Sequence, residues 1–237
     1  MLRLLPLLFV LLLVACSGTP ASPVAAPGPD RLVRLADSEI RGLDPQVYSD
    51  LASLRVAADQ FEGLTRFDGA GQPVPGLARG WTIAPDGRSW TFSLRPDLRF
   101  SDGTPLRAEV FARGWQRLND PATGSPHTAL FAAIADVTAP DAGTVLVRLG
   151  APFPQLPALL AHPAMAALPL HRAAKDWTAE RPLVTSGPYR TREWRLNDRL
   201  MLERNPRWHG GRAPIAMVVW KPVDDALAGM RLFLAGD

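Results

Sequence analysis

The sequence has 237 residues, 47% of them hydrophobic, so the chain can bury one or two packed cores. Its 26 basic residues nearly balance its 23 acidic ones and are scattered along the chain, which argues against nucleic acid as a partner. The single cysteine, Cys16, excludes an internal disulfide and a cysteine metal cluster. The composition indicates a globular protein, and its charge does not identify a partner.

The first 29 residues predict export and a lipid anchor. The continuous apolar run from Leu4 to Ala15 is too short to span a hydrocarbon core of ~30 Å, so residues 1–16 are predicted to be a signal peptide. Leu13-Val14-Ala15-Cys16 resembles a bacterial lipobox, which predicts lipidation of Cys16; an ordinary signal peptide cut nearby is the alternative. Residues 17–29 carry no charge and are rich in Pro and Ala, as in a tether. We therefore expect the protein in the periplasm or cell envelope, held to a membrane through Cys16.

The segment after the tether predicts a strand, a turn and a helix. The strand is expected over Arg31 to Ala36, and Leu43-Asp44-Pro45 is typical of a turn. Ser49 or Asp50 can cap a helix that ends near Gly63. The apolar spacing predicts that its buried face consists of Leu51, Leu54, Ala58 and Phe61.

The next hundred residues predict a small antiparallel sheet and one long helix. Trp90, Phe92 and Leu94 alternate with polar residues, which is typical of a strand buried on one face. Other strands are predicted at Leu64–Phe67, Val74–Trp81, Thr82–Ala84 and Val145–Leu149. A helix following Pro105 would bury Phe111, Trp115 and Leu118, and a short helix is expected around Gln155–Ala161.

The last third predicts a return to strands before a closing helix. Strands are expected after Thr185–Tyr189, at Leu200–Arg204 and at Ile215–Trp220, and a helix at Asp224–Leu234. The pattern as a whole is that of an α/β (α+β) protein.

Five segments in order carry a resemblance to a known family. They are Ala58–Trp81, Trp90–Phe111, Trp115–His127 (WQRLNDPATGSPH), Thr185–Tyr189 (TSGPY) and Leu202–Gly211 (LERNPRWHGG). Together they resemble the oligopeptide-binding branch of the extracytoplasmic solute-binding proteins of ABC importers, solute-binding family 5, over most of the mature chain.

The resemblance implies a periplasmic binding protein-like fold with two lobes. On that reading residues 30–57 are the first part of lobe I, 58–164 a small inserted domain and 165–237 the second part of lobe I. The second large lobe would be missing, so we expect a C-terminally truncated chain. One departure concerns Arg107-Ala108-Glu109-Val110, which stands where the family usually has Thr-Ala-x-Asp, so a helix capping box is lost.

The resemblance also implies the candidate site. In the family the loop before the first helix faces the cleft and pairs with the backbone of a bound peptide, which here points to Tyr48, Ser49, Asp50 and Leu51. A tyrosine commonly faces the cleft at the position of His127, so His127 is a candidate contact, with a bland surface-loop histidine as the alternative.

Sequence motifs of catalysis and metal binding are absent. The sequence contains no G-x-S-x-G, H-E-x-x-H or Walker-type motif, and its four histidines show no i, i+4 pairing. Ser186 has no histidine base near it in sequence. We therefore expect no enzyme activity, no catalytic residue, no cofactor and no metal.

The expected function is capture of oligopeptides in an interlobe cleft and delivery to ABC permease subunits, by a monomer anchored through lipid. Two alternatives stay open: the same fold binding a nickel chelate, haem, glutathione or a sugar, and a non-transport envelope lipoprotein or non-functional remnant.

Overall fold

The computed structural model describes residues 30–172, 176–223 and 225–235. The strands of this part are β1 (Arg31–Ala36), β2 (Thr65–Phe67), β3 (Pro73–Pro75), β4 (Ala78–Ile83), β5 (Ser89–Leu94), β6 (Ile134–Asp141), β7 (Thr144–Leu149), β8 (Tyr189–Arg195), β9 (Arg199–Arg204) and β10 (Met217–Pro222). The helices are α1 (Leu51–Gln60), α2 (Glu109–Asn119), α3 (Leu156–Leu159) and α4 (Ala226–Ala235). Short 3₁₀ turns occupy Pro121–Thr123, Pro163–Met165 and Trp177–Ala179. The predicted signal peptide, Cys16 and the tether lie outside the described residues.

A mixed four-stranded sheet joins the two ends of the described chain. Its order is β1-β10-β9-β8, with β1 parallel to β10 and the other pairs antiparallel. Its core contains Leu200, Leu202 and Trp220, each at most 1% exposed. The four strands predicted from the sequence in these regions are confirmed, with small shifts of their ends.

Helix α1 is fixed to this sheet by a half-buried ion pair. Asp59 accepts hydrogen bonds from Arg34 Nη1 at 3.1 and 3.2 Å and from the Trp220 indole at 2.9 Å. The Arg34 guanidinium also lies 4.3 Å from the centre of the Trp220 ring. Burial raises the pKa of the Asp59 carboxyl, although Arg34 acts in the opposite direction.

The predicted buried face of α1 was wrong at Leu51 and Ala58, whereas Phe61, directly after the helix, is 3% exposed as predicted and Leu54 is half-buried. The helix is capped by Asp50, as one of the two predicted alternatives, but Leu51 is 53% exposed and Ala58 is also exposed. The buried residues are instead Ala52, Ser53, Val56, Ala57 and Gln60. Small side chains on the buried face allow the helix to approach its neighbours closely. Leu51 was predicted to be buried because it is large and apolar, but it faces solvent.

A second four-stranded sheet, antiparallel with the order β4-β5-β7-β6, forms the other core. The alternation read from the sequence is confirmed, since Trp90, Phe92 and Leu94 are 3%, 0% and 7% exposed. Phe92 contacts the rings of Trp81 and Trp90, with centroids 5.8 and 6.4 Å away. Strand β6 was not predicted, because its apolar residues are interrupted by two irregularities in its pairing with β7.

Helix α2 packs on this second sheet and begins as the sequence predicts. Its N-cap is Ala108, which makes no side-chain cap hydrogen bond, so the missing capping box is confirmed. Phe111 and Leu118 are buried, and Trp115 packs half-buried against the same core.

The buried residues form two hydrophobic clusters. One follows the antiparallel sheet and runs from Leu64 to Val184 in the sequence; the other follows the mixed sheet and joins residues between Ala36 and Trp220. The domain bounds at residues 57, 164 and 237 stay a prediction.

Candidate functional site

The loop ahead of α1 begins with a tight turn built on Asp44. The amides of Val47 and Tyr48 donate to the Asp44 carbonyl oxygen at 3.1 and 3.3 Å, and the Gln46 amide donates to Asp44 Oδ1 at 3.0 Å. Such side-chain-to-backbone bonds are why Asp favours turns, and Pro45 fixes its own φ within this one. The loop therefore reaches α1 in a defined conformation.

A buried polar network ties this turn to α2. Arg117 donates to Asp44 Oδ2 at 2.6 Å and to Asp44 Oδ1 at 3.2 Å, a bidentate ion pair, and to Gln46 Oε1 at 2.7 Å. Gln46, 1% exposed, donates in turn to the carbonyls of Gly114 at 2.8 Å and Ala164 at 3.1 Å. Three separate segments thus meet at one set of hydrogen bonds.

His127 forms a hydrogen bond with the backbone of Tyr48 in this loop. Its Nε2 lies 3.1 Å from the Tyr48 carbonyl oxygen, and because a carbonyl only accepts, Nε2 carries the proton. The ring is 5% exposed and lies edge-to-face with His162, at 5.0 Å between centroids. His127 therefore supports the loop from inside the protein.

His162 completes this histidine pair as a neutral ring. Its Nδ1 accepts the Ala164 amide at 3.1 Å, which requires an unprotonated nitrogen there. Burial, and secondly the neighbouring His127, lower the pKa of His162 to about 4. Phe131 closes the cluster, with its ring 5.6 Å from that of His162.

The structure brings together all the candidate residues of the described chain. Tyr48 is half-buried above His127, Ser49 is exposed, Asp50 caps α1 by accepting the Ser53 amide at 2.9 Å, and Leu51 opens the helix. The Leu51 amide, at the helix N-terminus, has no acceptor among the described residues. The loop thus presents a free backbone donor beside exposed side chains.

Sequence reasoning missed the residues that hold the loop. Asp44 was interpreted only as a turn residue, and Gln46 and Arg117 were not singled out. The signal available was Arg117 within the WQRLND segment, where a basic residue lies one position from buried Leu118. Its partner, 73 residues away, is not visible from local pattern.

The described residues form neither a metal-binding cluster nor a membrane-spanning helix. Within residues 30–172, 176–223 and 225–235, no group of three or more His, Cys, Asp or Glu side chains is placed to hold a metal ion. In the same ranges no helix has the length and apolarity needed to cross a bilayer.

A family model and a curated relative match most of this chain. A family model described as "Bacterial extracellular solute-binding proteins, family 5 Middle" matches residues 72–237. The periplasmic oligopeptide-binding protein OppA of Salmonella typhimurium is 34% identical over 250 residues, covering 95% of this chain and 46% of its own. This chain therefore spans less than half the length of that relative.

Solved structures show the same fold. The Escherichia coli murein tripeptide binding protein MppA superposes with a TM-score of 0.82 at 32% identity, over 88% of this chain and 45% of that one. Haemophilus influenzae OppA in complex with the peptide RPPGFSPFR gives a TM-score of 0.82 at 26% identity, over 88% and 45%. The expected α/β fold of the periplasmic binding protein type is confirmed over this part. The chain belongs to family 5 of the bacterial extracellular solute-binding proteins, with OppA- and MppA-like relatives, a family of binding proteins and not of enzymes.

Proposed function

We propose that this chain is the part of an oligopeptide-capturing protein that carries the Tyr48–Leu51 loop, and that it serves an ABC importer. The observation that carries the proposal is the free Leu51 amide on a loop fixed by Arg117 and His127. An extended peptide can pair with such a backbone donor whatever its side chains, which suits a protein that accepts many peptides. In Haemophilus influenzae OppA the same fold is seen with a nine-residue peptide.

Replacing Leu51 with proline tests the loop with little disturbance of the fold. Leu51 is the first helical residue, where proline is tolerated, and Asp50 already has the extended conformation, φ −68° and ψ 146°, that a following proline requires. Leu51→Pro removes the backbone N–H at position 51 and leaves the helix intact. Leu51→Ala is the matched control, because it shortens the side chain but keeps the N–H.

The assay is calorimetric titration of the purified chain and both variants with pooled tri- to pentapeptides. We expect saturable binding by the parent and Leu51→Ala, and about tenfold weaker binding by Leu51→Pro, the loss of one backbone hydrogen bond. Equal binding by both variants would refute the site. No binding by the parent would refute peptide capture by this chain, and saturable binding of glutathione, haem or a nickel chelate in its place would identify another solute.

We also propose that the chain is a periplasmic or envelope protein anchored through a lipid on Cys16, delivering peptide to permease subunits. The support is the lipobox-like Leu13-Val14-Ala15-Cys16 and the periplasmic OppA relative. Labelling expressing cells with radioactive palmitate should mark the parent chain and leave Cys16→Ser unlabelled. Equal labelling of the two chains would contradict the anchor.

A further inference from the structure

A cavity lies at the opposite end of α1 from the candidate loop. It has a volume of about 330 Å³, within the range of small-molecule sites. Helix α1 has ten residues, so at 1.5 Å per residue its two ends are about 15 Å apart. The cavity walls are mainly apolar and include Phe61, Phe67, Pro163, Pro188 and Trp208.

The one acidic group lining the cavity is the buried side chain of Glu62, which is 5% exposed. Its Oε2 accepts the Trp208 indole N–H at 2.7 Å and lies 2.9 Å from His209 Nε2. Its Oε1 is buried and has no hydrogen-bond partner among the described residues. One half of the carboxylate is therefore satisfied and the other half is not.

The nearby cation does not satisfy this oxygen. Arg66 Nε lies 3.7 Å from Glu62 Oε1, which is beyond hydrogen-bond distance, and the Arg66 side chain is 52% exposed. A buried acceptor without a donor is costly, so the site gains from any cation that brings an N–H to Oε1. Arg66 therefore lies near that oxygen without forming a hydrogen bond to it.

We propose that this cavity binds a primary ammonium group carried on a short aliphatic stem. The ammonium would displace the Arg66 guanidinium and donate to Glu62 Oε1, and the stem would lie against the apolar and aromatic walls. A free alkylamine and a lysine side chain share this chemistry. The cavity is separate from the Tyr48–Leu51 loop, so this proposal does not depend on whether peptides bind at that loop.

The test follows the Trp208 indole N–H, which reports on Glu62, by ¹H–¹⁵N NMR during titration of the full chain. The probes are n-butylammonium, Nα-acetyl-lysine methylamide and neutral n-butanol. We expect saturable shifts with at least one amine and none with butanol. A preference for butylammonium indicates a free amine, and a preference for the lysine derivative indicates a peptide or protein side chain.

Four variants separate the contributions of the anion, the competing cation and the cavity wall. Glu62→Gln should weaken amine binding about tenfold or more, because the anion is lost. Arg66→Ala should strengthen binding several-fold, because it removes the competing cation, whereas Arg55→Ala, which removes an exposed charge from α1, should leave it unchanged. Phe67→Ala, at a half-exposed wall position, should weaken binding even if Glu62→Gln fails to fold.

Several results would overturn the proposal. They are equal shifts with butanol and butylammonium, no shift with any amine, unchanged affinity in a folded Glu62→Gln chain, or weaker binding in Arg66→Ala.

Discussion

Replacing Arg117 with methionine should destabilise the protein more than the loss of an ordinary surface ion pair. The change keeps the aliphatic stem but removes the guanidinium that donates twice to Asp44 and once to Gln46. Asp44 and Gln46 are 7% and 1% exposed, so water cannot readily replace the lost donors.

The magnitude follows from the burial of each partner. Removing one member of a fully buried ion pair costs about 3–5 kcal/mol, because the other charge is left buried and unpaired. The Arg117 side chain is 26% exposed, so part of its environment is already solvent, and we expect a loss of about 2–3 kcal/mol in the free energy of unfolding.

A matched control is available in the pair Arg190–Glu203. Its N–O distance is 2.6 Å and its arginine side chain is 26% exposed, as in the pair Arg117–Asp44. The side chain of Glu203, however, is 28% exposed, whereas the side chain of Asp44 alone is 10% exposed. Arg190→Met should therefore cost less than about 1 kcal/mol. Urea unfolding at pH 7, with unchanged m-values, measures both changes. Equal losses in the two variants would refute the argument that acceptor burial sets the cost.

Two other predictions use the same measurement. Phe92→Ala should lower the free energy of unfolding by about 3–5 kcal/mol, because a fully buried ring between two tryptophans is lost; a loss below about 1 kcal/mol would contradict that packing. Burial, and secondly His127, lower the pKa of His162 to about 4 in the folded chain, against about 6.5 in the unfolded chain. The free energy of unfolding should therefore fall by about 2 kcal/mol as pH drops from 6.5 to 4, allowing for partial exposure of the ring. His162→Asn, whose carbonyl can still accept the Ala164 amide, should flatten this dependence, and an unchanged slope would assign it elsewhere.

The strands were predictable where apolar and polar residues alternate within the strand itself. Trp90, Phe92 and Leu94 alternate strictly, and the structure buries all three. Strand β6 lacks that regularity, because irregular pairing near Ile134 and Thr138 shifts its residues against β7. The prediction of the buried face of α1 was wrong at Leu51 for a different reason. Hydrophobicity alone predicted that Leu51 would be buried, whereas close packing against the neighbouring elements buries the smaller alanine and serine side chains.

The candidate site stays a prediction from resemblance, and the contacts that hold it were not predicted. The resemblance pointed separately to Tyr48–Leu51 and to His127, and in the structure His127 Nε2 lies 3.1 Å from the Tyr48 carbonyl oxygen. The role of His127 was not visible from sequence, because burial beneath the loop depends on the path of the chain between α2 and β6. Arg117 was missed because its partner is distant in sequence.

The parallel pairing of β1 with β10 makes the mixed sheet depend on contacts between distant parts of the sequence. Arg31 aligns with Met217, 186 positions later, whereas the antiparallel sheet is complete within residues 78–149. Pairing across so long a separation is intrinsically slow, so we expect the antiparallel sheet to form before the mixed sheet. Until β10 pairs with it, β1 is open to wrong partners, and Arg31 and Arg34 within RLVRLA place charges where they oppose aggregation.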